Sequence, residues 1–486
     1  MIGDLAFIGL DGLSWRVVYH YYREYGVWRN LVRLAANGLS AVSRCIPPYT
    51  PPSWITIFTG VSPFKHGIYG FYRYVREGDC YRLKLVKTTD LRYPLINEVL
   101  AFHKYKGIVY NIYPSYPVNG LYTRGQVIVS DILSPKFYVY PKPYMDRYSK
   151  YFNKPLPRSS NYNNKWVQEL GGRVYSVLEG LMKLMDDYSH DFLVTVFREP
   201  DYLMHYLQYV AYGRYDEYVS EIFNLLDDFI GYVSSRYRYV YIASDHGFDV
   251  YTDRVNLYGI LWRHGLHRYK GSLKTRIIVE TLGLKPVKYL MKTVLSSLRS
   301  QRIYYRLRRI FQKRSVSSAR DSNLIRDLIV MDNISADNAW VVYTPNEPGI
   351  VSYVRKVFSK YDRLIRIIYE GDLGDSGIRV FILEPVNGKY YMNDPSLYYS
   401  PTIYFASSRH SVYGVFIGYG PRIGRHSFHI IDNVDILPTI LSSIDTPLPT
   451  YIDGKSIIET MESRRIDYRR LKEIAVKVKR FKKYIR

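Results

Sequence analysis

The sequence contains very little cysteine. Cys45 and Cys80 are its two cysteines among 486 residues, too few for the disulfide framework that supports many small secreted domains. Hydrophobic residues nevertheless make up 47% of the chain, which is enough for a large core and excludes a globally disordered protein. We therefore expect a folded protein in which both thiols are reduced and buried.

Long apolar segments are also missing. No run approaches the roughly 20 apolar residues that a helix needs to span a bilayer. The first residues, MIGDLAFIGLDG, have no basic region and are interrupted by Asp4 and Asp11, unlike a signal peptide. The sequence therefore predicts a soluble, cytoplasmic protein with no signal peptide and no transmembrane segment.

Acidic residues are scarce relative to basic ones, with 44 Asp and Glu against 68 Lys and Arg and a net charge of +24. The excess is concentrated in two segments. Residues 268–314 contain 14 basic residues and one acid, and residues 464–486 contain 11 basic residues and two acids. Both segments could bind nucleic acid or an anionic membrane surface, and the second partner would place the protein at the inner membrane face. A solvated basic surface explains them equally well.

Short apolar runs that end in Asp, Gly or Pro predict the strands of the fold. The runs are LAFIGLDG, GIVYNIYP, DFLVTVFREPD, YVYIASDHG and YGVFIGYGP. Continuous apolar runs of this length are typical of strands that are buried on both faces of a parallel sheet. Amphipathic stretches such as WVQELGGRVYSVLEGLMKLMDDY lie between them and predict helices. The alternation predicts a doubly wound α/β fold, a mostly parallel sheet flanked by helices.

The alternation of strands and helices stops after residue 250. Residues 251–399 are predicted to form an inserted cap, with a basic helical part and a small αβ part, which leaves 1–250 and 400–460 as the catalytic core. Residues 461–486 are predicted to form a basic amphipathic C-terminal helix, because Leu471 and Ile474 begin an apolar stripe. Such a helix either packs on its own domain or lies on a membrane surface.

Acidic and histidine side chains stand beside several of the predicted strand ends. They are Asp11, Asp201, His205, Asp245, His246 and His410. Asp201 and His205 are four residues apart, so one helical turn would bring both side chains to the same face. Ligands of doubly wound folds bind beyond the carboxyl ends of the strands. A single Asp–His pair is most often a surface feature, but six such residues, most of them at strand ends of a single sheet, together with a threonine held at a turn, predict a metal site.

The stretch CIPPYTPPSWITIFTGVSPFKHGIYGF contains a candidate nucleophile. Thr50 precedes Pro51 and Pro52, which place it at the start of a predicted helix. A hydroxyl in this position can cap the helix, or it can act as a nucleophile where backbone N–H groups attract a phosphate. These residues alone leave both possibilities open.

Taken together, these motifs resemble the alkaline phosphatase superfamily, and within it the type I phosphodiesterase/nucleotide pyrophosphatase branch. The resemblance runs through nearly all of residues 5–455 and is carried by FIGLDGLSW, PPYTPPSWITIFTGVSPFKHGIYGF, NIYPSYPVNG, FREPDYLMH, ASDHGFDVYTDRVNLYGIL, RHSVYGVFIGYGPRI and DILPTIL. It implies a metal-dependent hydrolase with an alkaline phosphatase-like fold. Its substrate would be a phosphodiester or a nucleotide-like small molecule.

The resemblance also implies two divalent metal ions, usually Zn²⁺, with Mn²⁺ as the alternative. Thr50 would be the nucleophile, forming a phosphothreonine that water then hydrolyses. Ser53, where relatives carry Asn, would support a phosphate oxygen. His426 and His429 are alternatives to His410 as a metal ligand. By position, one metal would be held by Asp11, Thr50, Asp245 and His246, and the other by Asp201, His205 and His410.

Other functions are compatible with the same residues. CIPPY resembles the sulfatase motif C-x-P-x-R, but Tyr49 stands where arginine is required, so Cys45 is not expected to be a nucleophile. A phosphomonoesterase or phosphotransferase could use the same fold. The alternative that is not an enzyme is a protein that uses the basic segments to bind a membrane surface or nucleic acid.

Overall fold

The computed structural model describes residues 3–77, 80–118, 123–157, 162–255, 257–266, 330–331, 340–373, 377–386, 390–392, 402–458 and 464–474. The chain divides into two compact units. The larger unit contains residues 1–71, 86–250 and 408–486, and the smaller unit contains residues 72–85 and 251–407. Among the described helices, none is long and apolar enough to cross a membrane.

The strands of the described residues are numbered in chain order. They are β1 (Gly3–Leu10), β2 (Leu39–Arg44), β3 (Tyr72–Glu77), β4 (Cys80–Leu85), β5 (Gly107–Tyr110), β6 (Gln126–Val129), β7 (Val139–Tyr140), β8 (Phe192–Phe197), β9 (Tyr237–Ala243), β10 (Gly247–Val255), β11 (Val330–Met331), β12 (Trp340–Pro345), β13 (Ile365–Asp372), β14 (Ile378–Pro385), β15 (Tyr390–Met392), β16 (Thr402–Ser411), β17 (Tyr413–Tyr419), β18 (His426–Asp432), β19 (Leu448–Pro449) and β20 (Arg465–Ile466).

The helices are numbered in the same way. They are α1 (Trp15–Tyr25), α2 (Arg29–Asn37), α3 (Thr50–Thr59), α4 (Pro63–His66), α5 (Ile96–Phe102), α6 (Lys142–Phe152), α7 (Asn164–Asp187), α8 (Glu199–Tyr206), α9 (Gln208–Ala211), α10 (Glu217–Ser234), α11 (Leu257–Arg263), α12 (Pro348–Ser359) and α13 (Ile436–Ser443). Single turns of 3₁₀ helix occupy Thr88–Asp90 and Asn433–Asp435.

The larger unit is built on a nine-stranded sheet with the order β18-β2-β17-β9-β1-β8-β5-β6-β7. All of its strands run in one direction except β7 and β17, which are antiparallel to their neighbours. The five apolar runs identified in the sequence form β1, β5, β8, β9 and β17. The predicted mostly parallel sheet flanked by helices is therefore confirmed.

Both faces of this sheet are covered by helices. Alternate residues of β1 belong to different apolar clusters, with Ile8 in one cluster and Phe7 in the other. The Ile8 side contains buried residues of α1, α2, α7 and α10, and the Phe7 side contains buried residues of α3, α5 and α13. A strand with apolar side chains on both faces of the sheet needs a layer of helices over each face. This explains why polar and apolar residues do not alternate along β1.

The smaller unit contains a four-stranded antiparallel sheet with the order β11-β12-β14-β13. Helix α12 packs against it through Val354 and Phe358, which share an apolar cluster with Phe381 and Leu383. The unit also contains the β3–β4 hairpin and a pairing of residues 253–255 with residues 390–392. The basic segment 268–314 lies outside the described residues.

The described part of the C-terminal segment packs on the larger unit. Residues 468–474 are helical. Tyr468 is buried, and the Lys472 ammonium contacts the Glu98 carboxylate of α5 at 2.9 Å. The start of the predicted apolar stripe, Leu471 and Ile474, is exposed instead, because this helix presents its Tyr468 and Lys472 face to α5. Residues 475–486 lie outside the described residues.

Candidate active site

The first candidate ligand, Asp11, directly follows β1 at the carboxyl edge of the sheet. Its side chain is fully buried, and its backbone N–H donates to the Phe197 carbonyl of the neighbouring strand. Gly12 turns the chain with φ of +75°, and a Cβ at this position would lie 2.9 Å from the Phe248 ring. The Gly12 N–H donates to Asp245 Oδ1 at 3.1 Å. The turn after β1 therefore fixes the two carboxylates beside each other.

Asp245 and His246 follow β9, the strand next to β1, and both are fully buried. His246 Nε2 lies 3.5 Å from Asp11 Oδ1 and 3.4 Å from Asp245 Oδ2. The other ring nitrogen, Nδ1, lies 3.1 Å from the Gly247 carbonyl. A carbonyl only accepts hydrogen bonds, so Nδ1 carries the proton and the Nε2 lone pair of the neutral ring faces the carboxylates. We refer to Asp11, Asp245 and His246 as the first cluster.

A second cluster consists of Asp201, His205 and His410. Helix α8 places Asp201 and His205 on one face, with His205 Nε2 3.2 Å from Asp201 Oδ1. The end of β16 contributes His410, whose Nε2 lies 3.3 Å from the same oxygen. His410 Nδ1 donates to the Pro48 carbonyl at 2.9 Å, which again turns a lone pair toward the cluster. Within each cluster, one ligand atom from each side chain lies within 4.8 Å of the others.

The two clusters adjoin each other. The rings of His246 and His410 stack with centroids 3.8 Å apart. All six Asp and His residues predicted as ligands are therefore brought together, although they come from widely separated parts of the chain. Of the predicted alternatives to His410, His426 starts β18 beside Leu39, the first residue of β2, and so lies at the opposite edge of the sheet. The side chain of His429 is outside the described part of the chain.

The chemistry of these side chains fits a divalent cation. Hydrogen bonds of adequate geometry are missing at four buried atoms: Asp11 Oδ1, Asp201 Oδ1, Asp245 Oδ2 and His246 Nε2. Leaving such a group unsatisfied costs about 1–3 kcal/mol each. Three carboxylate oxygens and the His246 lone pair converge in this way and repel one another unless a cation or a proton lies between them, whereas His205 Nε2 and His410 Nε2 share a hydrogen bond of 2.7 Å. Mixed oxygen and nitrogen donors suit Zn²⁺, and carboxylate-rich sites also accept Mn²⁺.

The pKa values of the carboxyl groups reflect this crowding. Burial, with a further contribution from the Asp201 charge, raises the pKa of Asp11 to about 6. Burial and the Asp11 charge raise the pKa of Asp245 well above its usual value. Burial also raises the pKa of Asp201, but the neighbouring His205 and His410 outweigh it and hold that pKa well below its usual value. Burial lowers the pKa of His246, which favours the neutral ring that a metal ligand requires.

Thr50 is the first residue of α3, and it lines a small cavity together with Asp11. The Thr50 hydroxyl makes no hydrogen bond with the described residues. Pro51 and Pro52 have no N–H, and the Ser53 N–H donates to the Tyr49 carbonyl. The Thr50 N–H is thus the one backbone donor that remains in the first turn. Helix α3 offers a phosphate fewer backbone donors than an ordinary helix start.

Ser53, the predicted support for a phosphate oxygen, is buried, and its hydroxyl donates to the Pro47 carbonyl at 3.2 Å. It does not line the cavity that contains Thr50 and Asp11. The hydroxyl would have to give up its bond to Pro47 in order to donate to a substrate. Cys45 is buried and unpaired, and burial raises the pKa of its thiol, as expected for an inert thiol. The side chain of Cys80 lies outside the described part of the chain.

The one cationic residue among the described residues that line the cavity is absent from the sequence-based prediction. Arg198 directly follows β8, and its Nε lies 3.3 Å from Asp11 Oδ2. In the motif FREPD the arginine stands beside two acids, which is the pattern of a surface ion pair. The residue types alone therefore do not identify Arg198 as a site residue. Its position immediately after a strand that ends at the candidate site is the signal that identifies it.

Comparison with known proteins agrees with this geometry. Residues 5–317 match the type I phosphodiesterase/nucleotide pyrophosphatase family. The chain belongs to this family, and the predicted membership is confirmed. The protein is a phosphoric ester hydrolase of the phosphodiesterase type. No curated protein sequence matches the chain.

Solved structures show the same fold at low sequence identity. Murine ectonucleotide pyrophosphatase/phosphodiesterase 5 matches with a TM-score of 0.50 and 10% identity, over 93% of this chain and 97% of that chain. An inactive threonine-to-alanine variant of that mouse protein in complex with AMP gives the same values. The wild-type alkaline phosphatase PafA matches with a TM-score of 0.53 and 15% identity, over 94% of this chain and 98% of that chain. At these identities the likeness establishes the fold alone.

Proposed function

We propose that the protein hydrolyses the phosphodiester or pyrophosphate bond of a nucleotide-like small molecule, with Thr50 as the nucleophile and two divalent cations. The observation that carries this proposal is the convergence of two acceptor-rich clusters at the edge of the sheet where Thr50 and Asp11 share a cavity. The family supplies the class of reaction. The AMP complex of the mouse protein makes a nucleotide the first substrate to test.

The residues have separate tasks in this proposal. Asp11, Asp245 and His246, together with the Thr50 oxygen, would hold one cation. Asp201, His205 and His410 would hold the other, and we propose Zn²⁺ for both, with Mn²⁺ as the alternative. Bound cations would lower the pKa of the hydroxyl and neutralise charge on the attacking and leaving oxygens.

Covalent catalysis by Thr50 proceeds in two displacements. The Thr50 oxygen forms a bond to phosphorus while the bond to the leaving alcohol or phosphate breaks. Water then attacks the same phosphorus, and the bond to Thr50 breaks to restore the hydroxyl. Because the Thr50 hydroxyl makes no hydrogen bond with the described residues, it can turn toward the substrate without losing a partner.

Turnover of bis-p-nitrophenyl phosphate and of a dinucleotide by the Thr50→Ala variant tests the proposal. We expect kcat/KM to fall by at least about 1,000-fold, whereas Thr50→Ser should retain more activity because it keeps a hydroxyl. Thr56→Ala is the matched control, because Thr56 lies on the same helix but bonds His66 instead of facing the cavity. It should stay within about 3-fold of the parent. Thr50-independent turnover in metal-replete protein would contradict the assignment of the nucleophile.

A further inference from the structure

Arg198 occupies an unusual position for a charged residue. It stands between β8 and α8 as the N-cap residue of the helix, and its side chain is 15% exposed. It lines the cavity that also contains Thr50 and Asp11. A guanidinium buried to this degree normally has its donors bonded to carboxylate or carbonyl oxygens.

The guanidinium of Arg198 has no such bonds within the described chain. Its Nε is buried and makes no hydrogen bond, because the approach to Asp11 Oδ2 at 3.3 Å is not aligned for one. The group lies over the rings of Phe71 and Tyr202, at 5.7 and 5.4 Å from their centroids. These cation–π contacts hold the guanidinium in place without occupying its N–H groups.

A second buried arginine of the same region shows the ordinary arrangement. Arg173 of α7 is 10% exposed and is paired with Glu199, the residue next to Arg198. The carboxylate of the residue next to Arg198 in the sequence is therefore paired with another cation, and Asp11 is the carboxylate that approaches the Arg198 guanidinium. Arg198 itself lines the cavity, and its Nε has no hydrogen-bond partner among the described residues.

Two other polar side chains that line the cavity, Asn111 and Asp131, are hydrogen bonded to groups of the protein itself. Asn111 donates to the Val196 carbonyl at 2.8 Å and accepts from the Ile132 N–H at 3.1 Å. Asp131 accepts hydrogen bonds from Ser115, from the Leu133 N–H and from the Ser134 hydroxyl. Arg198 is thus the one cationic side chain among the described residues that line this cavity.

We propose that Arg198 binds the non-bridging oxygens of the phosphoryl group that Thr50 attacks, and that this contact extends the activity of the site to phosphate monoesters. The inference rests on the proposed function. A guanidinium can donate two parallel hydrogen bonds to two oxygens of a phosphate. A diester has one negative charge over its non-bridging oxygens, whereas a monoester has close to two at neutral pH. The monoester therefore gains more from a cation at this position.

The comparison of two substrates tests this proposal with the full-length, metal-loaded protein. We expect Arg198→Ala to lower kcat/KM for p-nitrophenyl phosphate by about 100-fold or more, and for bis-p-nitrophenyl phosphate by about 10-fold or less. Arg198→Lys keeps the charge but not the paired donors. Its loss of kcat/KM should be smaller than that of Arg198→Ala, and it should again be larger for the monoester than for the diester. Arg236→Ala is the control, because Arg236 also lies over an aromatic ring but precedes β9 at the opposite edge of the sheet.

Equal losses on both substrates would overturn the proposal and make Arg198 a positioning residue for Asp11. No loss on either substrate would overturn it as well. Metal content measured by mass spectrometry for each variant separates these results from a failure to load metal. The comparison is made at equal metal content.

Binding of inorganic phosphate to the Thr50→Ala protein, measured by calorimetry, gives a readout that needs no turnover. We expect the added Arg198→Ala change to weaken binding by about 10-fold or more. Unchanged phosphate affinity would overturn the role of Arg198. If neither ester is turned over by the parent protein, the proposed function fails, and phosphate binding still decides whether Arg198 forms an anion site.

Discussion

The rings of His246 and His410 stack with centroids 3.8 Å apart, although the two residues are separated by more than 160 positions in the chain. Each ring has its Nδ1 hydrogen bonded to a carbonyl oxygen and its Nε2 directed to a different set of carboxylates. The pair therefore joins two clusters that are chemically alike. This arrangement leads to a prediction about the number of metal ions.

We predict that each chain binds two divalent ions. A mutation in either cluster should remove one ion and leave the other in place. His246→Ala should leave about one ion, because it removes the nitrogen ligand of the first cluster. His205→Ala should do the same for the second cluster. Metal content after dialysis, measured by mass spectrometry, checks this. His426→Ala serves as the control and should keep both ions, because His426 lies at the far edge of the sheet. Loss of both ions in either single variant would argue for one shared site.

Removal of the metal ions should also destabilise the fold. The buried acceptors of both clusters would face one another without a cation, and a ligand present at about 100 times its Kd contributes roughly 2.7 kcal/mol of stability. We expect the Tm to fall by several degrees after chelation and to recover when Zn²⁺ or Mn²⁺ is added back. Differential scanning calorimetry on samples of known metal content makes the measurement. An unchanged Tm after complete metal removal would show that the clusters do not bind a cation in the folded protein.

The fold depends on a capping interaction away from the site. Asp227 of α10 is buried and accepts the backbone N–H groups of Asn30 and Leu31 at the start of α2, both at 2.9 Å. Asp227→Ala should lower the free energy of unfolding by about 1–3 kcal/mol, because it leaves these donors without a partner.

Urea denaturation checks the effect of Asp227→Ala. The control is Asp228→Ala, because Asp228 is the next residue of α10 and is exposed; it should change stability by less than about 0.5 kcal/mol. The activity of the folded Asp227→Ala protein should be close to that of the parent. A stability loss of equal size in both variants would point to a general weakening of α10 instead of a lost cap.

The strands and most of the candidate site could be predicted from the sequence because their signals are local. Strand β8 is a continuous apolar run, and Asp201 and His205 are one helical turn apart. Contacts between distant residues leave no such signal. The pairing of Arg173 with Glu199 joins residues 26 positions apart, and the burial of Lys472 depends on a carboxylate 374 positions earlier.

The contact of Lys472 with Glu98 predicts that the C-terminal segment stabilises the larger unit. Both side chains are almost fully buried, with 7% and 6% of their surface exposed. Breaking a buried ion pair leaves a charge without a partner, which costs about 3–5 kcal/mol. We therefore expect Lys472→Ala to lower the free energy of unfolding by an amount of this order.

A comparison with two further variants separates the buried pair from the general basic character of the segment. Arg470→Ala removes a positive charge from the same helix but from an exposed position, and it should change stability by less than about 0.5 kcal/mol. The double variant Glu98→Gln with Lys472→Met should be more stable than Lys472→Ala alone, because it leaves no buried charge. Equal urea denaturation curves for Lys472→Ala and the parent would mean that this helix is not docked on α5 in solution. The segment would then be available for another surface.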